Sequence, residues 1–293
     1  MNKIKIGILG ATSYVAQGII YHFRKNDNYE LILLSRNPEN ISWTGLIKNN
    51  LDNFNAYNYD VIINCILADF VITEKYDNLI INYLKKNKRT LYINISSGAV
   101  YGKDFYHPVN ENTITTININ HIKKEDYYYI NKIYNETKHR FFEDLNIVDI
   151  RLFSYFSRFV KLDSHYFLTG IINSLKNNTK FITTSENIIR DYINQYDFYR
   201  FIECCIINCP INNAFDIYSL CPIFKFEILE FFRNEYGLQY IYKDDIALIN
   251  NTGNKPVYYS VNKKAISIGY TPLYTSKETI SYETKELIKK WNM

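Results

Sequence analysis

The chain has 293 residues, of which 47% are hydrophobic, and its formal net charge is +4 at pH 7. This length and apolar content allow a sizeable core, built as one large domain or as one domain with a smaller lobe. The basic residues are spread along the sequence without a block of five or six, so we expect no nucleic-acid partner. The apolar run in MNKIKIGILG is too short for a signal sequence, and no run of 18 apolar residues occurs, which predicts a soluble, cytoplasmic protein without a membrane partner.

The cysteines do not form a recognisable metal-binding or disulfide pattern. No two of them have Cys-x-x-Cys spacing, and no His or Asp cluster completes a metal site. We expect no bound metal and five reduced, mostly buried thiols, at Cys65, Cys204, Cys205, Cys209 and Cys221.

Short apolar runs alternate with amphipathic stretches over the first half of the chain. The runs predict strands and the amphipathic stretches predict helices. In chain order they are strand Ile4–Leu9, helix Tyr14–Arg24, strands Leu31–Leu34 and Val61–Ile66, helix Lys75–Lys86, strand Leu91–Ile95, helix Asp126–Leu145 and strand Ile147–Leu152. Near-continuous apolar strands separated by helices predict an α/β fold with a Rossmann-like, doubly wound parallel sheet covered on both faces.

The pattern loosens after residue 153. Helices are predicted near His165–Leu175 and near Lys225–Tyr236, with the stretch RDYINQYDFYRFIECCII between them. We expect a dinucleotide-binding domain over residues 1–153. Residues 154–293 are expected to form mainly a smaller C-terminal substrate-binding lobe, with some segments returning to the sheet.

The turn after the first strand is a candidate cofactor site. Gly10 follows that strand where a dinucleotide fold needs a tight turn, which directs a helix N-terminus at a pyrophosphate. A Gly-x-x-Gly-x-x-Gly frame starting at Gly10 meets Ser13 and Ala16 instead of glycines; Ala16 still permits close packing, and the Ser13 hydroxyl can bind a phosphate. The alternative is a bare strand-turn-helix without a ligand. The predicted cofactor contacts of this turn are Gly10, Thr12, Ser13, Tyr14 and Val15.

The end of the second strand bears on the choice of cofactor. Its carboxyl tip reads LLSRNPE, with Ser35 and Arg36 where an acid would favour NAD, whereas Glu30 lies at the wrong end of the strand. A guanidinium there can fork onto a 2′-phosphate, so we predict NADP, with NAD possible. The alternative is a solvated arginine.

Tyr-x-x-x-Lys spacing occurs twice in YYYINKIYNETK, as Tyr128/Lys132 and as Tyr134/Lys138. With 28 Tyr in the chain, such pairs arise by chance, so the spacing is a weak motif without a supporting fold and a partner serine. On a helical wheel the two tyrosines face different ways. Tyr134 falls in an apolar stripe expected to be buried or to face another subunit, whereas Tyr128 and Lys132 lie on the opposite face. With Asp126 as N-cap, Tyr128 falls in the first turn, near the positive end of the helix.

These motifs occur in an order that resembles the extended short-chain dehydrogenase/reductase family, whose members mostly act on nucleotide sugars. The resemblance spans nearly the whole chain and rests on ISSGAVYG, a Tyr-x-x-x-Lys helix, IVDIRLFSYFS, IIRDYINQYDFYRFI and YYSVNKKAISIGYTPLYTSKETI. The family pattern tends to carry an acid four residues after the lysine, which Glu136 supplies for Lys132 and Phe142 does not supply for Lys138. Tyr128/Lys132 is therefore the preferred pair.

The resemblance implies the roles of the candidate residues. Ser97 would hydrogen-bond the substrate carbonyl, Tyr128 would pass the proton, and Lys132 would lower the tyrosine pKa and hold the nicotinamide ribose; these three are the predicted catalytic residues, and Tyr128 and Lys132 also contact cofactor. Ser96 would lie near the cofactor. Three more residues are predicted to bind substrate together with Ser97: Ser154, where the family commonly has Asn, His165 on the helix over the cleft, and Arg190 near the nucleotide diphosphate. The alternatives are a surface histidine and a structural Arg190–Asp191 pair.

The residues after Ser97 bear on the type of reaction. Dehydratases of this family place Asp-Glu there and fucose synthase relatives use a cysteine, whereas this chain has Gly98 and Ala99. The sequence therefore favours one-step reduction of a keto group on a nucleotide-linked sugar by NADPH, or its reverse. An epimerase that keeps its cofactor and an inactive cofactor-binding protein are the alternatives. The apolar stripe, together with the resemblance, predicts a homodimer formed by paired helices; a monomer that buries the stripe internally is the alternative.

Overall fold

The computed structural model describes residues 3–67, 69–103, 105–243 and 255–289. Within these ranges no helix combines the length and the apolar character that crossing a bilayer requires. The helices are α1 (Tyr14–Phe23), α2 (Phe70–Lys86), α3 (Tyr127–Phe141), α4 (Phe167–Lys176), α5 (Gln195–Ile207), α6 (Lys225–Tyr236) and α7 (Ser276–Lys289). The strands are β1 (Ile4–Leu9), β2 (Tyr29–Ser35), β3 (Ile47–Asn50), β4 (Val61–Asn64), β5 (Leu91–Ser97), β6 (Ile147–Leu152), β7 (Ser154–Tyr155), β8 (Phe181–Thr183), β9 (Ile189–Arg190), β10 (Tyr192–Ile193), β11 (Asn212–Asp216), β12 (Ile223–Phe224), β13 (Tyr240–Tyr242) and β14 (Val257–Tyr258).

A seven-stranded sheet organises the molecule, in the order β11-β6-β5-β4-β1-β2-β3. All of its neighbouring strands run parallel, which confirms the predicted α/β fold with a doubly wound sheet. The strand order reverses between β1 and β4, where Leu9 pairs with Asn64. Ligands of such sheets bind beyond the carboxyl ends of the strands at this reversal, so Gly10 and Cys65 mark the expected site.

The two faces of the sheet are packed differently. On one face, α1 and α5 cover an apolar layer that includes Ile8, Ile63 and Ile93, and Phe23 and Phe198 fill the space beneath the helices. On the other face, α2 covers a second apolar cluster. Apolar residues thus occupy both sides of the central strands, as the near-continuous hydrophobic runs predict.

The predicted elements of the first half are present; β1 and β6 have the predicted bounds, and the others have shifted ends. Helix α2 begins at Phe70, five residues before the prediction, because Asp69 caps it by accepting a hydrogen bond from the Ile72 amide. Helix α3 ends at Phe141 instead of Leu145. Strands β3 and β11 join the sheet without having been predicted, since neither IKNN nor NNAFD has an apolar run.

Residues after 153 contribute both to the sheet and to a separate cluster. Strand β11 pairs with β6 at the sheet edge and α5 packs on α1, whereas α4, α6 and α7 surround a third apolar cluster. Three small sheets complete this half: β10-β7, β12-β9-β14 and β13-β8. The division at residue 153 into a cofactor domain and a substrate lobe stays a prediction.

Helix α3 packs on the sheet through polar and charged side chains. Its buried residues include Asn131, Lys132, Asn135, Glu136 and His139. They face β5 and β6, where alternate residues turn to the same side of the sheet and are polar: Asn94 and Ser96 on β5, Asp149 and Arg151 on β6. The helix is therefore held by directional ion pairs and hydrogen bonds rather than by an apolar stripe.

His139 lies at the centre of this interface, between two carboxylates. Its Nδ1 is 2.8 Å from Asp149 Oδ1 and its Nε2 is 2.9 Å from Asp77 Oδ1. Burial alone would lower the pKa of His139, but the two carboxylates outweigh it and raise the pKa to about 9. Each carboxylate has a second cation, Lys138 at 2.6 Å from Asp77 and Arg140 at 2.9 Å from Asp149. Burial also opposes ionisation of Asp77, yet His139 and Lys138 bring its pKa down to about 2.

Replacement of His139 by Gln is expected to lower the free energy of unfolding by about 3 kcal/mol at pH 6, because an uncharged side chain leaves two buried carboxylates with one cation each. The pKa of His139 is raised from 6.5 to about 9 on folding, so its contribution is complete below pH 6.5 and is lost as pH rises through 9. Urea unfolding at several pH values measures this. The difference between wild type and His139→Gln should shrink between pH 6.5 and 9.

His121 provides the matched control, since it is exposed and the same substitution there removes no buried charge. His121→Gln should change stability by less than about 0.5 kcal/mol at each pH. A His139→Gln difference that stays constant from pH 6 to 9 would mean that His139 is not charged in the folded protein.

Candidate functional site

The turn after β1 requires glycine at position 10. Gly10 has φ of 72°, and a Cβ built there would lie 2.9 Å from the backbone carbonyl carbon and oxygen of Cys65. Both the left-handed conformation and the close backbone approach therefore exclude other residues. The turn directs the N-terminus of α1 to the carboxyl ends of β1 and β4, where unsatisfied backbone N–H groups and the helix dipole favour an anion.

The side chains of this turn are mostly engaged within the protein. Ser13 is the N-cap of α1, and its hydroxyl accepts from the Ala16 amide at 3.4 Å, which leaves the O–H able to donate to a phosphate. The Tyr14 hydroxyl accepts from the Ser157 amide at 2.7 Å, so this phenol is directed at the segment after β7. The cofactor contacts of Thr12, Ser13, Tyr14 and Val15, which are all partly exposed, stay predictions.

Gly10→Ala is expected to abolish nicotinamide cofactor binding and to destabilise the fold by more than about 2 kcal/mol, because strain and a backbone clash add. Gly45 is the matched control, since it has φ of 74° but nothing within 4 Å of the position that a Cβ would take. Gly45→Ala should cost only about 1 kcal/mol, and it should leave cofactor binding unchanged. Thermal unfolding and titration of NADPH fluorescence measure both effects, and equal losses in the two variants would contradict this account.

The carboxyl tip of β2 carries an exposed cation. The Ser35 hydroxyl is buried and accepts from the Asn37 amide at 3.2 Å, which shapes the turn. The Arg36 carbonyl accepts from the Asn50 amide group at 2.9 Å, and its side chain is exposed. Among the described residues, no carboxylate lies within ion-pair distance of this guanidinium, so it is available to an anionic ligand.

Ser97 is buried at the end of β5 and touches a residue that sequence reasoning missed. Its hydroxyl accepts from the Ala99 amide at 3.1 Å and lies 3.2 Å from the Tyr258 hydroxyl. The Tyr258 ring in turn meets two cations, with Lys255 Nζ 4.4 Å and Arg190 Cζ 5.8 Å from its centroid. Ser97 thus contacts the hydroxyl of Tyr258, and Arg190 lies over the ring of the same residue.

Lys132 reaches the same end of β5 from α3. Its ammonium group donates to the Ile95 carbonyl at 3.0 Å, and the residue is buried. The ring centroid of Tyr128 is 5.9 Å from Lys132 Nζ, and Tyr128 is 50% exposed, open to a ligand. Burial raises the pKa of the Tyr258 and Tyr166 phenols, and the charge of Tyr128 contributes to raising both. Tyr128 therefore lies close to these two side chains.

The second pair of the sequence motif lies elsewhere. The Tyr134 hydroxyl donates to Glu74 on α2 at 2.9 Å, and Lys138 pairs with Asp77 of the same helix at 2.6 Å. Tyr134 and Lys138 therefore contact α2, and it is Lys132 that approaches the end of β5.

Ser96 is directed away from Ser97. Its hydroxyl donates to Glu136 Oε1 at 2.6 Å, in the buried interface between β5 and α3. Successive residues of a strand point to opposite faces, so this hydroxyl is turned to the helix and not to the side of Ser97. The hydroxyl is thus engaged with the helix, and the position of Ser96 near the cofactor stays a prediction.

The predicted substrate residues differ in their surroundings. Ser154 is buried, and within the described part of the chain its hydroxyl has no hydrogen-bond partner. His165 is exposed and precedes α4, so the prediction that it lies on the helix is wrong: the helix begins only at Phe167, after the N-cap Tyr166.

Arg190 is a buried cation without a carboxylate partner in the described ranges. Its neighbour Asp191 accepts from the Ser219 amide at 3.1 Å and from the Ser276 hydroxyl at 3.1 Å, so the structural Arg190–Asp191 pair is wrong. Burial lowers the pKa of Arg190, and burial together with the Arg190 charge lowers the pKa of Lys255 to about 8. Two cations that lose solvation next to each other favour an anionic ligand between them.

The chain is thus an α/β protein with a Rossmann-like, doubly wound parallel sheet, and Ser97 and Lys132 lie at the carboxyl end of β5 with Tyr128 beside the lysine. The profile of the NAD dependent epimerase/dehydratase family matches residues 6–221, and the chain belongs to this family. No curated protein matches the sequence.

Solved structures of nucleotide-sugar enzymes resemble the whole chain. A UDP-N-acetylglucosamine 4-epimerase from Methanobrevibacter ruminantium M1 superposes with a TM-score of 0.79 at 15% identity, covering 99% of this chain and 100% of the other. A UDP-glucose 4-epimerase from Thermotoga maritima gives 0.78 at 14%, covering 99% and 100%. A dTDP-glucose 4,6-dehydratase from Bacillus anthracis str. Ames, in complex with NAD, gives 0.76 at 13%, covering 98% and 97%. At these identities the likeness concerns the fold.

Proposed function

We propose that this protein transfers hydride between a nicotinamide cofactor and a carbon of a nucleotide-linked sugar, with Ser97, Tyr128 and Lys132 as catalytic residues. The observation that carries the proposal is the position of Lys132. Its buried ammonium group is bonded to the Ile95 carbonyl, two residues before Ser97, and lies next to the half-exposed Tyr128 phenol.

Each of these side chains has a chemical task in the proposal. The bound cofactor supplies the hydride acceptor or donor. Ser97 holds the reacting oxygen of the sugar by a hydrogen bond, and Tyr128 exchanges a proton with that oxygen. A phenol ionises near pH 10, so the nearby Lys132 cation is needed to stabilise the phenolate at neutral pH.

The substrate assignment follows from the cations around Tyr258. Arg190 and Lys255 are positioned for a diphosphate, because a guanidinium and an ammonium group without carboxylate partners in the described residues bind phosphate oxygens well. The structural neighbours include enzymes crystallised with UDP-glucose and with UDP-N-acetylmuramic acid, which supports a nucleotide diphosphate sugar. Ser154 is the third candidate contact, with its unpartnered hydroxyl.

For the cofactor we propose NADP, because Arg36 stands exposed at the tip of β2, where a 2′-phosphate would lie. NAD is the alternative, supported by the family description and by a neighbour crystallised with NAD.

For the reaction we propose net reduction of a keto sugar, since Gly98 and Ala99 follow Ser97. Epimerisation with a retained cofactor is the second candidate, favoured by the epimerases among the structural neighbours.

Tyr128→Phe is expected to lower turnover at least about 100-fold, because it removes the proton donor and leaves the ring. Tyr134→Phe is the matched control, since it loses the same hydroxyl from the next Tyr-x-x-x-Lys pair but contacts α2. It should retain turnover within about twofold. Full activity of Tyr128→Phe would overturn the assignment of the acid.

The assay is loss of absorbance at 340 nm with NADPH or NADH and a 4-keto UDP- or dTDP-sugar. Net reduction predicts stoichiometric consumption, faster with NADPH. Epimerisation predicts a cofactor that copurifies with the protein and interconversion of UDP-glucose and UDP-galactose without consumption. Cofactor binding with neither result would support the inactive alternative.

We also propose that α2 and α3 form a homodimer interface. Two residues at one end of the α3 stripe stay exposed, Phe141 at 79% and Tyr134 at 39%. Phe70 of α2, 43% exposed, extends this surface, since its ring centroid lies 5.5 Å from that of Tyr134. A monomer that buries the stripe is the other alternative from the sequence, and the packing of Ile133 against the internal cluster around Phe153 and Tyr258 favours it.

Phe141→Glu is expected to convert the dimer to a monomer, because a second copy would have to bury the new carboxylate against an apolar surface. Ile207→Glu on α5 is the control, since Ile207 is also 79% exposed and lies away from α2 and α3. Sedimentation velocity measures the mass of each. A wild-type monomer at 50 μM, or a dimer that survives Phe141→Glu, would contradict the proposed interface.

A further inference from the structure

Buried hydrogen bonds join the catalytic helix to two strands of the sheet. Glu136 on α3 accepts from the Ser96 hydroxyl of β5 at 2.6 Å. The same carboxylate accepts a fork from Arg151 of β6, with Nη2 at 2.7 Å and Nε at 3.0 Å from Oε2. Glu136 is 7% exposed and Ser96 is 4% exposed, so this contact is shielded from water.

The remaining nitrogen of Arg151 continues the connection across the sheet edge. Nη1 donates to the Tyr101 hydroxyl at 2.8 Å and lies 3.3 Å from Asp216 Oδ1 on β11. Tyr101 also donates to Asp216 at 2.9 Å, and the Ser260 hydroxyl donates to Asp216 Oδ2 at 2.5 Å. Arg151 therefore bonds both to Glu136 of α3 and to Asp216, the carboxylate that binds Ser260 in the segment after β14.

Each end of this network adjoins a residue of the reaction centre. Glu136 follows Lys132 by one helical turn on the same buried face. Ser96 directly precedes Ser97, and Ser260 follows Tyr258 by two residues.

We propose that Arg151 is a positioning residue that holds α3, the end of β5 and the Tyr258 segment in fixed relation to one another. The inference rests on the proposed roles of Ser97, Tyr128 and Lys132. Arg151 touches none of them, so its effect passes through Glu136 and Asp216.

The chemistry of the side chain explains why an arginine occupies this place. Glu136 and Asp216 are both buried, come from different elements and repel each other unless a cation separates them. A planar guanidinium can fork onto one carboxylate and still offer a third nitrogen to the other, whereas a lysine ammonium group is a single point. Arg151 thus sets both the distance and the angle between the two elements.

Hydrogen exchange tests the assignment without any substrate. In Arg151→Met, amide exchange should rise together in peptides covering 95–101 and 257–262, because both segments lose their shared anchor. Arg140→Met is the matched control: Arg140 pairs with buried Asp149 across the same helix–sheet interface, at 2.9 Å, but lies outside the network to Asp216. It should raise exchange within α3 and β6 and leave 257–262 unchanged.

Kinetics then separate positioning from general destabilisation. With the full-length protein, a nicotinamide cofactor and a UDP-sugar, Arg151→Met should lose about 100-fold in kcat with KM changed less than about threefold, as displaced catalytic groups do. Arg151→Lys, which keeps the charge but not the fork, should recover part of kcat and part of the exchange protection; it also serves as the test if the Met variant does not fold. Arg140→Met should lower the melting temperature without this loss of kcat.

The outcomes distinguish this inference from the proposed function. A wild-type protein that turns over no nucleotide sugar would refute the function, while the exchange pattern would still decide the role of Arg151. If Arg151→Met and Arg140→Met gave the same exchange pattern, or if 257–262 stayed protected in Arg151→Met, Arg151 would be a structural ion pair only and the inference would be wrong.

Discussion

The contact of the Lys132 ammonium group with the Ile95 carbonyl depends on how α3 is held against the sheet. An apolar helix face is positioned by the shapes of the packed side chains alone, because dispersion contacts have no preferred direction. The buried face of α3 instead presents Glu136 to Arg151 and His139 to Asp149, and each of these bonds has a preferred distance and angle. The interface therefore fixes the rotation of the helix, and with it the direction in which Tyr128 and Lys132 point.

Such an interface contributes little to the free energy of unfolding, but it fixes the orientation of the helix on the sheet. Desolvation of buried ion pairs cancels much of their Coulomb attraction, so apolar replacements of similar volume are often as stable. The stability of this fold is better ascribed to the apolar layers under α1, α5 and α2. The two faces of β5 and β6 therefore have different roles. Ile93 and Ile150 belong to the apolar layer under α1 and α5, which stabilises the fold, and Asn94 and Asp149 face α3, whose orientation they help to fix.

The sequence predicts the sheet well where the physical signal is local. The apolar runs of β1, β2, β4, β5 and β6, the glycine after β1 and the two serines at the end of β5 are short-range features, and each lies where the sequence predicts it. Alternation in YINIS and VDIRL also indicates one polar face on each strand, a signal that an interpretation of these strands as near-continuous apolar runs passes over. The predicted start of α4 is wrong because Ser164, a residue type that commonly caps a helix, precedes His165, whereas the N-cap is Tyr166; this puts His165 on a helix that it precedes.

Tyr258 shows what local patterns cannot supply. It is 161 residues from Ser97 in sequence, and it reaches the serine because β14 pairs with β9 and because Ser260 forms a bridge with Val109. These pairings involve two residues or one, which is too short for any periodicity to indicate. No property of VYYS by itself distinguishes the tyrosine that meets Ser97 from Tyr259 beside it.

Under the proposed function, the same contact would affect which substrates the site accepts. The Ser97 hydroxyl is hydrogen-bonded to Tyr258 as well as to the Ala99 amide, so a ligand that displaces the phenol without offering an oxygen would leave one hydrogen bond of this buried hydroxyl unmade. Such losses discriminate strongly against molecules that lack the polar group. Arg190 and Lys255 act in the opposite sense, because their charges lack carboxylate partners among the described residues until an anion arrives. A molecule with a diphosphate at one end and an oxygen at the other would satisfy both conditions at once, which is why the tyrosine between the serine and the two cations is the centre of the substrate assignment.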